Sequence, residues 1–483
     1  MRILENIEPK KVLGFFEEIC EIPHGSKNEQ AISDHLVAFA KERNLPVIQD
    51  AANNVISIKE ATAGYENAEP IMLQGHMDMV CEKVKESDHD FFKDPLTLKL
   101  DGHILTADGT TLGGDDGIAV AMQMAILDSN DIPHPRLECI FTTDEETGLF
   151  GAEAIDISML KARKFINIDS EVEGIFTVSC AGGITAISSV PLNYESVSGQ
   201  VFELKVNGLQ GGHSGAEINK ERLNANILMG RVLNELAKEV SLQILEINGG
   251  NADNVITKES VATIVVPCAE QARKVLPLVE KIYSTVAHEC KVTDPAVKIA
   301  AVDQGHQTVS AFDHDTTVRV YSLLMLYPQG IYAMSLEIPG LVESSLNLGV
   351  LKTEGSSLKI VAGIRSAVDS RIYFLADRVA AAAASFGGTT VFEGYYPGWE
   401  YKAESPLRDL CVSVFKKQYG KEPVIEALHA GLECGMFAQK VEGLDCISIG
   451  PDLKDVHTPD ESMDLESVKR VWEFLLEVLK ESK

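Results

Sequence analysis

Four short apolar runs in this chain end in the same way, and that repetition restricts the fold more than any other feature. "IMLQ" (71–74) leads into Gly75, His76 and Asp78, and "RLECIFTT" (136–143) into Asp144, Glu145 and Glu146. "KFINID" (164–169) ends on Asp169, and "LDCISIG" (444–450) opens a loop that holds His457. Each run is too short for a helix and ends in polar or Gly-containing sequence, so each reads as a buried strand. Between them, "GIAVAMQMAILDS" (117–129) reads as a buried helix, with Asp115 and Asp116 of "LGGDDG" directly before it. This is the alternation of an α/β sheet. Parallel strands of one sheet deliver the loops that follow them to a single edge, where open α/β sheets bind ligands.

Two imidazoles and several carboxylates would therefore converge. Alone, each motif is commonplace: an H-x-D is usually a surface pair, a D-E-E a solvated loop, a G-G-D-D-G a turn. The weight lies in five such loops, each read as directly following a predicted strand. Carboxylates packed together oppose one another's ionisation, and a divalent cation supplies the compensation. Mixed His, Asp and Glu ligands without a thiolate suit zinc, and also manganese or cobalt. The donors outnumber those of one tetrahedral catalytic zinc. Two ions about 3.5–4 Å apart fit the count better.

The charge balance agrees. Acidic residues outnumber basic ones 72 to 43, a formal net charge of −29. That opposes nucleic acid and anionic membrane, but not divalent cations. The nine cysteines contain no C-x-x-C pair, which argues for a reducing compartment and against a disulfide framework. The first residues carry acids where a signal peptide needs a basic flank, and no apolar run is long enough to span a bilayer. The expectation is a cytoplasmic protein.

The texture changes near residue 185. "AISSVPLNY", "VFELKVNGL", "VATIVVPC" and "VKIAAVDQ" alternate like strands covered on one face, and amphipathic helices are predicted around 223–240 and 269–290. After "YYPGW" (395–399) the first texture returns, with a helix from Pro406 and a closing amphipathic helix through Leu465, Val468, Trp472 and Leu479. Ser26 with Glu29 is read as a capping box. The predicted architecture is an α/β catalytic domain over 1–185 and 401–483, with a mixed, mostly parallel sheet. An α+β lid or dimerisation domain is predicted over 186–400.

The motifs H-M-D (76–78), G-G-D-D-G (113–117), D-E-E-T-G (144–148), N-I-D-S-E (167–171) and V-H-T-P-D-E (456–461), in this order, resemble those of the dinuclear-zinc exopeptidases. That clan contains carnosinases, aminoacylases and glutamate carboxypeptidases. "VSCAGG", "GGHSG" and "HAGLECG" extend the resemblance over the whole chain, and Gly117, where many members carry lysine, fits the dipeptidase branch. The resemblance implies two divalent metal ions, zinc with cobalt or manganese as alternatives. His76 and Asp169 would bind one, Glu146 and His457 the other, and Asp115 both. It implies that Asp78 orients the His76 ring by accepting its second N–H. Glu145 would be the general base toward a metal-bridged water. A cis peptide between Asp115 and Asp116 is also implied.

For the substrate, the resemblance implies His213 as the group that stabilises the oxyanion and Arg365 as partner of the terminal carboxylate. Asn254 and Gly431 complete the substrate-binding set. His213 would act within its own subunit or across a homodimer formed by the lid domain. His429 reads as a structural loop histidine, and Cys139 and Cys434 as buried small hydrophobes. The expected activity is hydrolysis of dipeptides, including Xaa-His and carnosine-like ones. An aminoacylase, deacetylase or carboxypeptidase on the same centre is the alternative. A binder that has lost catalysis is disfavoured by Glu145, and a Rossmann enzyme by the absence of G-x-G-x-x-G after a strand.

Overall fold

The computed structural model describes residues 3–483. The chain forms two compact units. The first runs to Cys180 and resumes over Tyr401–Ala427 and Leu432–Lys483; the second comprises Ala181–Glu400 and Leu428–Gly431. The short return at Leu428–Gly431 is held by the Ala181 amide, which donates to the carbonyls of Leu428 and Ala430 at 3.0 and 3.1 Å.

The first unit is built on an eight-stranded sheet. Its middle holds four parallel strands, β1 (Ile71–His76), β2 (Leu137–Thr142), β3 (Lys164–Asn167) and β4 (Asp445–Ser448), in the spatial order β2-β1-β3-β4. Every residue of β1 and β2 is buried, as expected of strands covered on both faces. Registers align the strand ends: His76 lies beside Thr142, Gln74 beside Asn167, and Ser448 beside Asn167. The loops after 76, 142, 167 and 448 therefore leave from one edge. Antiparallel strands flank the four, Val55–Lys59 beside β2 and Ile175–Cys180 beside β4.

Helix α1 (Lys10–Cys20) packs on α3 (Gly114–Asp128), whose residues 117–127 are all buried. Between them in sequence lies α2 (Gln30–Glu42), and here the capping box is corrected. The α2 N-cap is Glu29 and has no side-chain cap bond. Ser26 Oγ–H instead donates to Asp78 at 2.8 Å, and Glu29 accepts the Lys27 and Asp144 amides. A four-stranded sheet of very short strands, including Ile104–Ala107 and Ser462–Asp464, also belongs to this unit.

The second unit holds a nine-stranded, wholly antiparallel sheet. Along Ser357–Ser366 burial alternates strictly, and Leu358, Ile360, Ala362 and Ile364 join one apolar core with Leu228, Val232, Leu323 and Val379 from helices. The predicted helix at 269–290 is divided into Ala269–Ala272 and Val275–Glu289. Pro277 explains the break: it is tolerated in the first turn of a helix, but its ring and missing N–H prevent a continuous ladder back to Arg273.

Candidate metal and substrate site

The first unit brings the five residues predicted to bind metal together at the loop edge of β1–β4, with Glu145 and Asp78 beside them. Asp115 stands between two imidazoles: its Oδ1 lies 3.1 Å from His76 Nε2 and its Oδ2 3.3 Å from His457 Nε2. Asp169 Oδ1 is 3.6 Å from the same His76 nitrogen, and Glu146 Oε2 is 3.0 Å from His457 Nε2. Donor atoms of Asp115, Glu146 and His457 lie within 4.8 Å of one another, as do those of His76, Asp116 and Asp169, and those of His76, Glu145 and Glu146. Asp116, named with Asp115 in the sequence but given no role there, also joins the cluster: it is buried, and its Oδ2 accepts the His76 amide at 3.2 Å. The Asp115–Asp116 peptide is cis.

Local structure explains the placement. His76 ends a fully buried strand, and its side chain is 1% exposed. Asp115 and Asp116 have non-helical backbone ahead of the regular turns of α3. Asp144 and His457 adopt positive φ, 51° and 64°, where tight loops aim side chains back at the sheet edge. The His457 side chain is 50% exposed, so the cluster opens to solvent on that side.

Electrostatically the cluster demands positive charge. Burial acts to lower the His76 pKa, yet Asp115, Asp169 and Asp78 outweigh it and raise the pKa well above the usual value. His457 is raised to about 11 by Asp115 and Glu146. Burial raises Asp169 to about 7 and pushes Glu145 and Asp116 well above the carboxylate range. Asp115 shifts the other way, because the two imidazoles overcome its burial. Glu146 Oε1 is buried without a hydrogen-bond partner. Oxygen and imidazole donors in excess, an orphaned carboxylate oxygen and no thiolate form a set that divalent cations fit.

Asp78 departs from its expected geometry. The nearer acceptor for His76 Nδ1 is the Asp78 backbone carbonyl at 3.0 Å, with the carboxylate Oδ1 at 3.5 Å. The carboxylate accepts the amides of Glu145 at 3.1 Å and Glu146 at 3.3 Å. It thus holds the backbone that carries both glutamates.

The remaining predicted residues lie in the second unit. His213 sits on a short strand paired with Val255–Ile256. Its Nδ1 accepts the amides of Ala216 at 3.0 Å and Gly215 at 3.3 Å, which puts the proton of the neutral ring on Nε2. Arg365 Nη1 donates to the Tyr396 hydroxyl at 2.7 Å. Gly431 faces the same tyrosine: a Cβ there would meet Tyr396 Cε2 at 2.9 Å. Asn254 is exposed, and its carbonyl accepts the Ser214 amide at 2.8 Å. His429 is buried, 2.8 Å from Ser345 Oγ, and burial, with Arg365 and His213 nearby, lowers its pKa to about 3. Cys139 and Cys434 are buried, and burial raises both thiols. Sequence reading passed over Tyr396 because a tyrosine in "YYPGW" carries no motif; only its contacts with Arg365 and Gly431 mark it.

Comparison with known proteins shows the family. Residues 72–481 match the family model of peptidase family M20/M25/M40. The cytosol non-specific dipeptidase of Escherichia coli (strain K12) is 37% identical over 485 residues, covering 100% of this chain and 99% of that protein. The crystal structure of aminoacylhistidine dipeptidase from Vibrio alginolyticus superposes with a TM-score of 0.93 at 35% identity, covering 99% of this chain and 97% of that one. Aminopeptidase PepT from Bacillus cereus ATCC 10987 shares the fold at a TM-score of 0.57 and 15% identity, covering 99% of each chain.

Proposed function

The chain belongs to peptidase family M20/M25/M40, and from that premise we propose that it is a metal-dependent dipeptidase acting on unblocked dipeptides, Xaa-His among them. The observation that carries the reading is Asp115, one oxygen toward each of two imidazoles, with Asp169 and Glu146 completing the two sides. His76, Asp115 and Asp169 would hold one divalent cation, and Asp115, Glu146 and His457 a second, zinc being the proposed metal. Bound there, two such ions would supply Lewis-acid polarisation of the scissile carbonyl and would acidify water.

The chain's own groups do the rest. Glu145, whose pKa burial raises, takes a proton from the attacking water. The water oxygen bonds to the carbonyl carbon, the C–N bond breaks, and the same proton passes from Glu145 to the leaving amine. Asp78 holds the backbone of Glu145 and Glu146 in place for this transfer. His213, from the same subunit or across a homodimer, is the proposed donor of an Nε2–H to the developing oxyanion. Arg365, backed by Tyr396, receives the substrate's terminal carboxylate as a planar donor pair. Asn254 and Gly431 complete the substrate contacts.

We place the protein in the cytoplasm, on its 37% identity to the cytosol non-specific dipeptidase of Escherichia coli. No helix among the described residues is long and apolar enough to cross a membrane. The exposed side chains of Tyr332, Met334, Leu336 and Phe374 support a homodimer through the second unit.

The test is a panel of dipeptides, tripeptides and N-acetyl amino acids, run with metal-depleted and zinc-reconstituted protein. Zinc-dependent cleavage of dipeptides alone is expected. Cleavage of N-acetyl amino acids with dipeptides untouched would make the protein an aminoacylase. Glu145→Gln should keep its metal and lose turnover.

A further inference from the structure

Glu461 closes the V-H-T-P-D-E motif, four residues after His457, and the mechanism above does not use it. It is 2% exposed. Its Oε2 accepts the amides of Leu112 at 2.7 Å and Gly113 at 3.1 Å; its Oε1 accepts those of Gly114 at 2.9 Å and Asp115 at 3.3 Å. Four consecutive N–H groups therefore converge on one carboxylate at the start of α3. Hydrogen bonds to an ionised acceptor are roughly twice as strong as neutral ones.

The local sequence is built for this wrapping. Gly113 has φ 67°, the left-handed region, and a Cβ on Gly114 would come within 3.3 Å of Glu461 Oε1. The glutamate is itself held: its amide donates to the Thr458 carbonyl at 3.1 Å, and the next residue, Ser462, pairs with Thr106.

We infer that Glu461 is a positioning residue that clamps the Asp115 loop to the His457 loop and so sets the separation between those two groups. This rests on the metal-centre reading above. Any cation shared by Asp115 and His457 depends on that separation, although Glu461 is not itself in the donor set. Outer groups that orient metal ligands typically contribute 10–100-fold to affinity.

The experiment is zinc competition against a chromophoric chelator on the metal-depleted full chain, for the wild type, Glu461→Gln and Glu461→Asp. Cobalt absorption spectra are recorded alongside. Glu461→Gln presents an NH2 to two of the four amides. It is expected to weaken one of two bound zinc ions by about tenfold or more and to change the cobalt spectrum. Glu461→Asp keeps the charge and should recover part of the loss.

Variants that bind both ions like the wild type overturn the inference, as does an aspartate no better than glutamine. If Glu461→Gln does not fold, hydrogen exchange decides: amides 112–115 should exchange slowly in the wild type and faster in Glu461→Asp, with weaker zinc binding. Equal exchange or equal affinity rejects the clamp. A wild-type chain that takes up no zinc refutes the metal-centre reading instead, which separates the two failures.

Discussion

The carboxylate of Asp78 accepts the backbone amide of Glu145 at 3.1 Å, a bond between residues 67 positions apart. The residue that lies beside the His76 ring is thus also the one that fixes the loop carrying the proposed base. Asp78→Asn leaves one oxygen for the amides of Glu145 and Glu146 and turns an NH2 toward the other. We expect kcat and metal affinity each to fall by about 10–100-fold, with little change in KM. Steady-state kinetics and chelator competition measure both, and wild-type values for Asp78→Asn would remove the role.

Metal removal should destabilise the protein. Packed carboxylates and an orphaned Glu146 oxygen favour the folded chain only when positive charge is present. Zinc at a hundred times its dissociation constant should add about 2.7 kcal/mol per site to unfolding free energy. Denaturant melts with chelator and with added zinc measure this; coincident curves would contradict a cation site.

Gly431 is predicted to tolerate no side chain. The Cβ of Gly431→Ala would press on Tyr396 at 2.9 Å, and Tyr396 in turn receives the Arg365 guanidinium. If that pair receives the substrate carboxylate, KM should rise by roughly tenfold, as for a lost hydrogen bond to a charged group, while kcat changes less. A kcat loss at constant KM would assign Gly431 elsewhere.

His429 makes stability depend on pH. Burial, with the charged Arg365 and the His213 ring nearby, lowers its folded pKa to about 3, while the unfolded ring titrates near the ordinary histidine value of 6.5. Between those values the unfolded chain binds a proton that the native chain refuses. The stabilising contribution is therefore complete above 6.5 and declines as pH falls toward 3. The slope approaches 1.4 kcal/mol per pH unit, about one proton. Comparing wild type with His429→Gln by denaturant unfolding across this window isolates it; parallel curves would disprove the assignment.

The residue order alone determined the local chemistry. Apolar runs too short for helices, each leading to a histidine or carboxylate, determined that β1–β4 would be buried, that His76 would stand at a strand end, and that Glu146, Asp169 and His457 would follow one. Side-chain period and strand burial are local properties, so they can be read residue by residue. Tertiary structure decided which acceptor each donor finds. That Asp78 spends its carboxylate on the amides of Glu145 and Glu146, that Ser26 joins it instead of capping α2, that Glu461 gathers the amides of 112–115, and that Tyr396 meets Arg365 all depend on non-local bonds. Most use backbone N–H groups, which every residue but proline carries alike. Such donors leave no mark in the sequence, and only the folded path of the chain selects among them.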